Sequence, residues 1–200
     1  MKKIFWIASY PRSGNTWMRS ILSSLFFTTD GKFDLNLLRR MGGMFEDAET
    51  FEFVKYVNEK DYKLLSDLKI LSKYWLDSQV RMNTGSNFIF LKTHHACISY
   101  LNNNFTTPQI TKGAIYLVRD PRDVAISYAK YMNRDIDTTI EIMCQKGFTV
   151  YYPAKRKELK KKYKAYISSW DDNVESWSYL NVPKKIIKYE DLLLDTENTL

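Results

Sequence analysis

The chain has 200 residues, 44% apolar and 26% charged, and 30 basic against 23 acidic side chains give it a net charge of +7. This length suits one α/β domain with a substantial core rather than two domains, the composition excludes a disordered chain, and no apolar run approaches membrane-spanning length. The basic excess admits polyanionic ligands, nucleic acid or a membrane surface, while the two cysteines, Cys97 and Cys144, lie too far apart for a CxxC pair and fit a reducing, cytoplasmic setting without a zinc site.

Ile4 to Ala8 is an unbroken apolar run, the pattern of a strand buried on both faces of a parallel sheet. Pro11, Ser13, Gly14 and Asn15 break it, and Trp17, Ile21, Leu22, Leu25 and Phe26 then recur at helical spacing. A helix that starts just past a glycine turn aims unpaired N–H groups and the positive end of its dipole into the loop, which suits an anion. Arg12 adds a planar cation, and Ser13 and Thr16 add hydroxyls. The loop therefore reads as a phosphate cradle, although not of the GxxxxGK[ST] kind, because Asn15 stands where that motif has lysine.

Thr28 to Glu59 shows no sustained periodicity and reads as loop with short helices. From Asp61 to Met82 the spacing of Leu64, Leu68, Leu71 and Trp75 predicts one amphipathic helix packed on the sheet. The turn formers of residues 83–86 precede a second buried strand, Phe88 to Leu91, which ends in Lys92, Thr93, His94 and His95. Ligands of open parallel sheets bind outside the carboxyl ends of the strands, so chemistry is expected there. His95 has the wrong phase to share the face of His94. The adjacent histidines have no cysteine or carboxylate cluster beside them and do not suggest a metal.

Residues 98–111 read as loop, and Ala114 to Val118 form a third strand that leads to Arg119. Asp120 caps the next helix, Pro121 occupies its first turn, and Val124, Ala125, Tyr128 and Tyr131 follow. Asp137 to Lys146 reads as a short helix with a Thr138/Glu141 capping box, ending at Gly147. Tyr163, Ile167, Trp170, Val174 and Trp177 predict a longer helix or helix pair from about Glu158 to Tyr179. The basic run Lys155 to Lys164 reads as a solvated face of it. Lys185 to Tyr189 form a fourth strand with Ile186 and Ile187 as its buried centre, and YEDL, residues 189–192, comes next.

Taken together, SYPRSGNTW, KTH, IYLVRDPRDVAISYAKY, SWDDNVESW and YEDL occur in the order found in the sulfotransferase family. These enzymes use 3′-phosphoadenosine 5′-phosphosulfate (PAPS), and the chain resembles them over most of its length outside residues 28–86. The resemblance implies a P-loop-like three-layer α/β fold with a central parallel sheet flanked by helices, here as a single domain over residues 1–200. It also implies transfer of a sulfuryl group to a hydroxyl or amine of a small-molecule acceptor, without a metal. His94 would be the base and Lys92 a cation near the transferred group. Arg12, Ser13, Gly14, Asn15, Thr16 and Trp17 would form the 5′-phosphosulfate loop, where cytosolic members usually carry lysine at the position of Arg12. Arg119 and Ser127, two helical turns apart, would hold the 3′-phosphate, and Tyr189 would lie against the adenine.

Family members continue past YEDL to a basic, glycine-containing loop over the 3′-phosphate and to dimer contacts. This chain stops at Leu200 in a sequence, DTENTL, that looks like a helix start. The expectation is a C-terminally truncated domain, with a homodimer possible. Taken alone, Arg119 could instead be an ion-pair partner of Asp120 or Asp123. Two rival functions stand beside the enzyme: a silent module of the same fold that binds anions or nucleic acid, and a P-loop kinase.

Overall fold

The computed structural model describes residues 4–82, 87–153 and 162–200. Strand β1 (Ile4–Ser9) feeds helix α1 (Asn15–Phe27). The irregular stretch after it holds 3₁₀ turns at Leu35–Arg39 and Ala48–Phe51. Four short helices follow, α2 (Val54–Val57), α3 (Glu59–Lys63), α4 (Leu68–Leu71) and α5 (Trp75–Met82). Strand β2 (Ile89–Thr93) leads to a small hairpin of β3 (Ser99–Tyr100) and β4 (Asn103–Asn104), then to β5 (Thr111–Val118). Helices α6 (Pro121–Met132) and α7 (Ile136–Cys144) precede a second hairpin, β6 (Thr149–Pro153) with β7 (Lys162–Tyr166). The chain closes with α8 (Trp170–Ser176), β8 (Lys184–Lys188), α9 (Tyr189–Leu194) and α10 (Thr196–Thr199).

The main sheet has the order β2-β1-β5-β8 with every pair parallel. From β1 the chain goes first to one side and then to the other, so the strand order reverses at β1 and opens a crevice at its carboxyl end. Ile4, Trp6, Ile7 and Ala8 are fully buried, as a strand covered on both faces requires. Trp6 packs with Phe45, Phe105 and Trp177 on one face, and its indole N–H is satisfied by Thr111 Oγ1 at 3.3 Å. On the other face Ile7 packs with Met18 and Leu22 of α1, Leu117, Ile187 and Leu192. Helices thus cover both sides of the sheet.

Several sequence expectations are corrected. The predicted helix over Asp61–Met82 is broken once, at residues 64–67, and beyond the break α4, a 3₁₀ turn at Ser72–Tyr74 and α5 run on without a gap. The Asp67 carboxylate accepts from the Lys69 N–H and starts α4 afresh, and Leu64 is left 46% exposed. The helix or helix pair read from about Glu158 to Tyr179 is found only at its end, in α8 and the 3₁₀ turn Trp177–Tyr179: Tyr163 and Ala165 are instead buried on β7, which pairs antiparallel with β6, and Ile167 follows in the same phase. Their spacing of two is a strand signal, and the same residues happened to fit a spacing of four and three with Trp170, Val174 and Trp177. Of the basic run, Lys162–Lys164 lie on this strand, while residues 155–161, and residues 83–86, which the sequence reads as a break before β2, lie outside the described residues.

The loop read over 98–111 contains the β3–β4 hairpin, turned by Leu101 and Asn102 in the left-handed region. Helix α7 is capped by Asp135, whose carboxylate accepts from the Thr138 N–H at 2.7 Å, and not by Thr138 itself. Ile186 is 53% exposed beside the buried Ile187, because β8 is an edge strand.

Candidate active site

Every residue that the sequence singled out, apart from Ser13, lines one cavity of about 320 Å³ at the carboxyl ends of β1, β2 and β5. Gly14 caps α1 with φ 90°, a left-handed conformation that suits glycine, and among the described residues no side-chain hydrogen bond caps the helix. A Cβ on Gly14 would come within 2.6 Å of the Tyr189 ring, so the glycine lets the YEDL segment close onto the loop. Ser13 is buried beside this turn, and its hydroxyl has no hydrogen-bond partner among the described residues. Asn15 is committed differently from expectation. Its amide donates to Ile7 O at 2.9 Å and to Ser9 Oγ at 3.3 Å, tying α1 to the end of β1, and Oδ1 has no partner among the described residues.

His94 follows directly on β2 and is 8% exposed. Its Nδ1 lies 2.7 Å from the Ser9 carbonyl oxygen, which can only accept, so Nδ1 carries the proton and Nε2 keeps its lone pair. Burial, and then Lys92, Arg12 and Arg19, push its pKa down to about 3. The imidazole is therefore neutral at physiological pH, with the Nε2 lone pair left as an acceptor. Tyr152 flanks it, with ring centroids 6.5 Å apart and planes within 25°. His95, in the opposite phase, stacks on Phe105 at 4.3 Å and meets the edge of Trp75. Its Nδ1–H is directed at the Ala96 carbonyl, 2.8 Å away, which makes it a core residue.

The cations come from three elements. Lys92 is the last residue but one of β2, in phase with His94. Arg119 follows directly on β5: it donates to the Arg12 carbonyl at 3.2 Å, lies 3.9 Å from the Asp123 carboxylate, and spreads over the Tyr189 ring at 4.4 Å. The ion-pair reading of Arg119 is thus realised, with Asp123 as the partner, while Asp120 pairs with Arg122, and the same Arg119 guanidinium lines the cavity. Arg12, at φ 69°, reaches across the cavity, donating from Nε to Ser127 Oγ at 3.1 Å and lying over Tyr131 at 5.0 Å. Trp17 meets the Tyr189 ring edge-on at 5.6 Å. Asp120 N–H donates to Glu190 Oε1 at 3.0 Å, which holds the YEDL segment against the start of α6.

Three buried polar residues at this end of the sheet were not found from the sequence. The Ser9 carbonyl fixes the His94 tautomer. Asn173 of α8 donates to the carbonyls of His94 (3.1 Å) and Ile167 (2.7 Å) and accepts from Tyr116 (2.7 Å). Glu46 lies 3% exposed against the end of β2. Ser9 and Asn173 lie within the quoted SYPRSGNTW and SWDDNVESW segments and Glu46 in the stretch without periodicity, but none of these roles shows locally, because each is made through contacts with residues far away in the chain. Among the described residues no group of three or more His, Cys, Asp or Glu side chains could hold a metal ion, and no described helix is long and apolar enough to cross a membrane.

The family model of the sulfotransferase domain matches residues 2–200. The fold is similar to that of a retinol dehydratase solved in a complex with retinol and PAP, with a TM-score of 0.55 at 18% identity. That match covers 98% of this chain and 57% of the other, so the chain spans little more than half the length of that relative. No curated protein matches the sequence. With the family's model matched over residues 2–200 and the parallel sheet of that fold in place, the chain belongs to the sulfotransferase family.

Proposed function

We propose that this chain is a PAPS-dependent sulfotransferase of the cytoplasm that passes a sulfuryl group to a hydroxyl of a small-molecule acceptor, with residues 1–200 acting as one domain. The observation that carries the reading is the His94 ring. Its Nδ1–H is held by Ser9 O, and its free Nε2 belongs to a cavity shared with Arg12, Lys92 and Arg119. A silent anion-binding module has no need of a neutral imidazole held in one tautomer among cations.

The residues present fit PAPS. The uncapped turn of α1, the unpartnered Ser13 hydroxyl and the absence of room for a side chain at Gly14 form a cradle for its 5′ end. Arg119 and Ser127 suit the 3′-phosphate, and the ring of Tyr189 suits the adenine. Arg12, through its reach to Ser127, serves both ends. PAPS supplies an activated sulfuryl group on a phosphate leaving group. His94 Nε2 takes the acceptor proton, while Lys92, Arg12 and the α1 N–H groups lower the cost of negative charge where it develops.

The test is calorimetric titration with 3′-phosphoadenosine 5′-phosphate (PAP) against AMP and ATP, followed by radiolabelled sulfate transfer from PAPS to a panel of hydroxyl and amine acceptors. Preference for PAP together with transfer supports the reading. Salt-sensitive binding of long polyanions without adenosine selectivity refutes it in favour of the binding module, and magnesium-dependent ATP turnover refutes it in favour of a kinase.

A further inference from the structure

Glu46 comes from the stretch without periodicity between α1 and α2, yet it lies against the strand end that carries His94. Residues 43–46 add one rung beside β2: Lys92 N–H donates to Gly43 O at 3.2 Å, Phe45 N–H donates to Lys92 O at 2.8 Å, and Met44 bridges Lys92 in parallel. Past that rung the N–H groups of His94 and His95 have no strand to bond. Glu46 Oε1 receives both at 3.2 Å, together with the Thr93 hydroxyl. Glu46 Oε2 has no partner among the described residues. Burying a carboxylate with one oxygen unpaired is costly, and a strand end could be satisfied more cheaply by a neutral acceptor or by water.

His94 is thus held at three points by three separate elements: its N–H by Glu46, its C=O by Asn173 and its ring by Ser9. Only the first is anchored in the segment outside the sheet and its flanking helices. We infer that Glu46 is a positioning residue for His94, setting the backbone at the end of β2 so that Nδ1–H meets Ser9 O and Nε2 faces the cavity; this rests on the reading of His94 as the base. A positioning role makes a distinctive demand. What matters is the reach of one acceptor oxygen, and the negative charge is secondary.

Two substitutions separate reach from charge. Glu46→Gln keeps the oxygen in place and removes the charge, whereas Glu46→Asp keeps the charge and withdraws the oxygen by one methylene. The readouts are the ¹⁵N NMR tautomer signature of His94 in the free protein, PAP affinity by calorimetry, and kcat and KM for PAPS with an acceptor from the panel. Glu46→Gln is expected to keep the Nδ1–H signature with kcat within about threefold of the parent, whereas Glu46→Asp mixes the tautomers and lowers kcat on the order of 100-fold, the scale of an ångström's misplacement. PAP affinity and KM for PAPS stay unchanged in both.

Parent-like behaviour of Glu46→Asp in both readouts, or equal damage from Gln and Asp, overturns the assignment. So does a fall in PAP affinity that matches the fall in kcat. If Glu46→Asp does not fold, the ring signature of Glu46→Gln decides alone: an intact Nδ1–H signal supports the role and a mixed one overturns it. The ring readout needs neither donor nor acceptor, so a parent chain that transfers no sulfuryl group counts against the proposed activity and leaves the Glu46 test standing.

Discussion

Gly14→Ala tests the contact between the loop and the YEDL segment. The residue sits at φ 90°, and a Cβ there would lie 2.6 Å from Tyr189 Cδ2 and 3.0 Å from Cε2. An L side chain in a left-handed conformation costs roughly 1 kcal/mol. The ring has no easy retreat, because Arg119 lies over it at 4.4 Å and Trp17 abuts it at 5.6 Å; overpacking of this kind costs roughly 2 kcal/mol. The sum of about 3 kcal/mol corresponds to a fall in Tm of about 6 to 12 °C for a domain of this size. The assay is urea unfolding of Gly14→Ala in the parent and in a Tyr189→Ala background. Removing the ring should relieve the overpacking and leave the backbone strain, giving a coupling energy of about 2 kcal/mol. An equal cost in both backgrounds would refute the argument from the ring, and no cost in either would refute the strained geometry as well.

Three further outcomes follow from the site. His94→Ala should abolish sulfuryl transfer while PAP binding by calorimetry stays nearly intact; a folded variant that loses both would sink the base assignment. Arg119→Ala should weaken PAP by about 10- to 100-fold, the range for lost hydrogen bonds to a charged group, and erase the preference for PAP over AMP. Arg12→Lys keeps the charge but loses the Nε donor to Ser127, so PAP should bind about tenfold more weakly; unchanged affinity would remove Arg12 from the 3′ end.

Stability should also fall on acidification. Burial pushes both His94 and His95 down to about 3 from the ordinary 6.5, so both stay neutral in the fold and gain protons on unfolding. Their contribution is therefore present above about pH 6.5 and is lost as pH falls towards 3. Two protons taken up correspond to a slope that approaches about 2.7 kcal/mol per pH unit below pH 6.5, opposed by Glu46, whose carboxyl burial holds above the usual range. Urea melts of Glu46→Gln at pH 6 and 5 measure it without that opposing carboxyl, and a flat profile would mean that the histidines are solvated.

Much of the fold was legible because the strands that build the site are apolar runs ending at turn formers. Ile4–Ala8, Phe88–Leu91 and Ala114–Val118 each show their burial locally, and each is followed at once by the residues that line the cavity. The helices were less legible. Tyr163, Ala165 and Ile167 were hidden because strand and helix periods coincide over a few aromatic positions, and the break at Asp67 depended on a cap competing with continued helix.

The amino-acid order by itself determined the strand–turn–helix units and the side chains they carry, since backbone preference and burial pattern act within a few residues. Only the tertiary structure decided which tautomer His94 holds, that Arg12 reaches Ser127, that Asn15 braces β1, and that Glu46 and Asn173 grip the end of β2. Those depend on hydrogen bonds between residues up to 115 positions apart, and a buried polar group takes its partner from whatever the packed fold brings within about 3 Å.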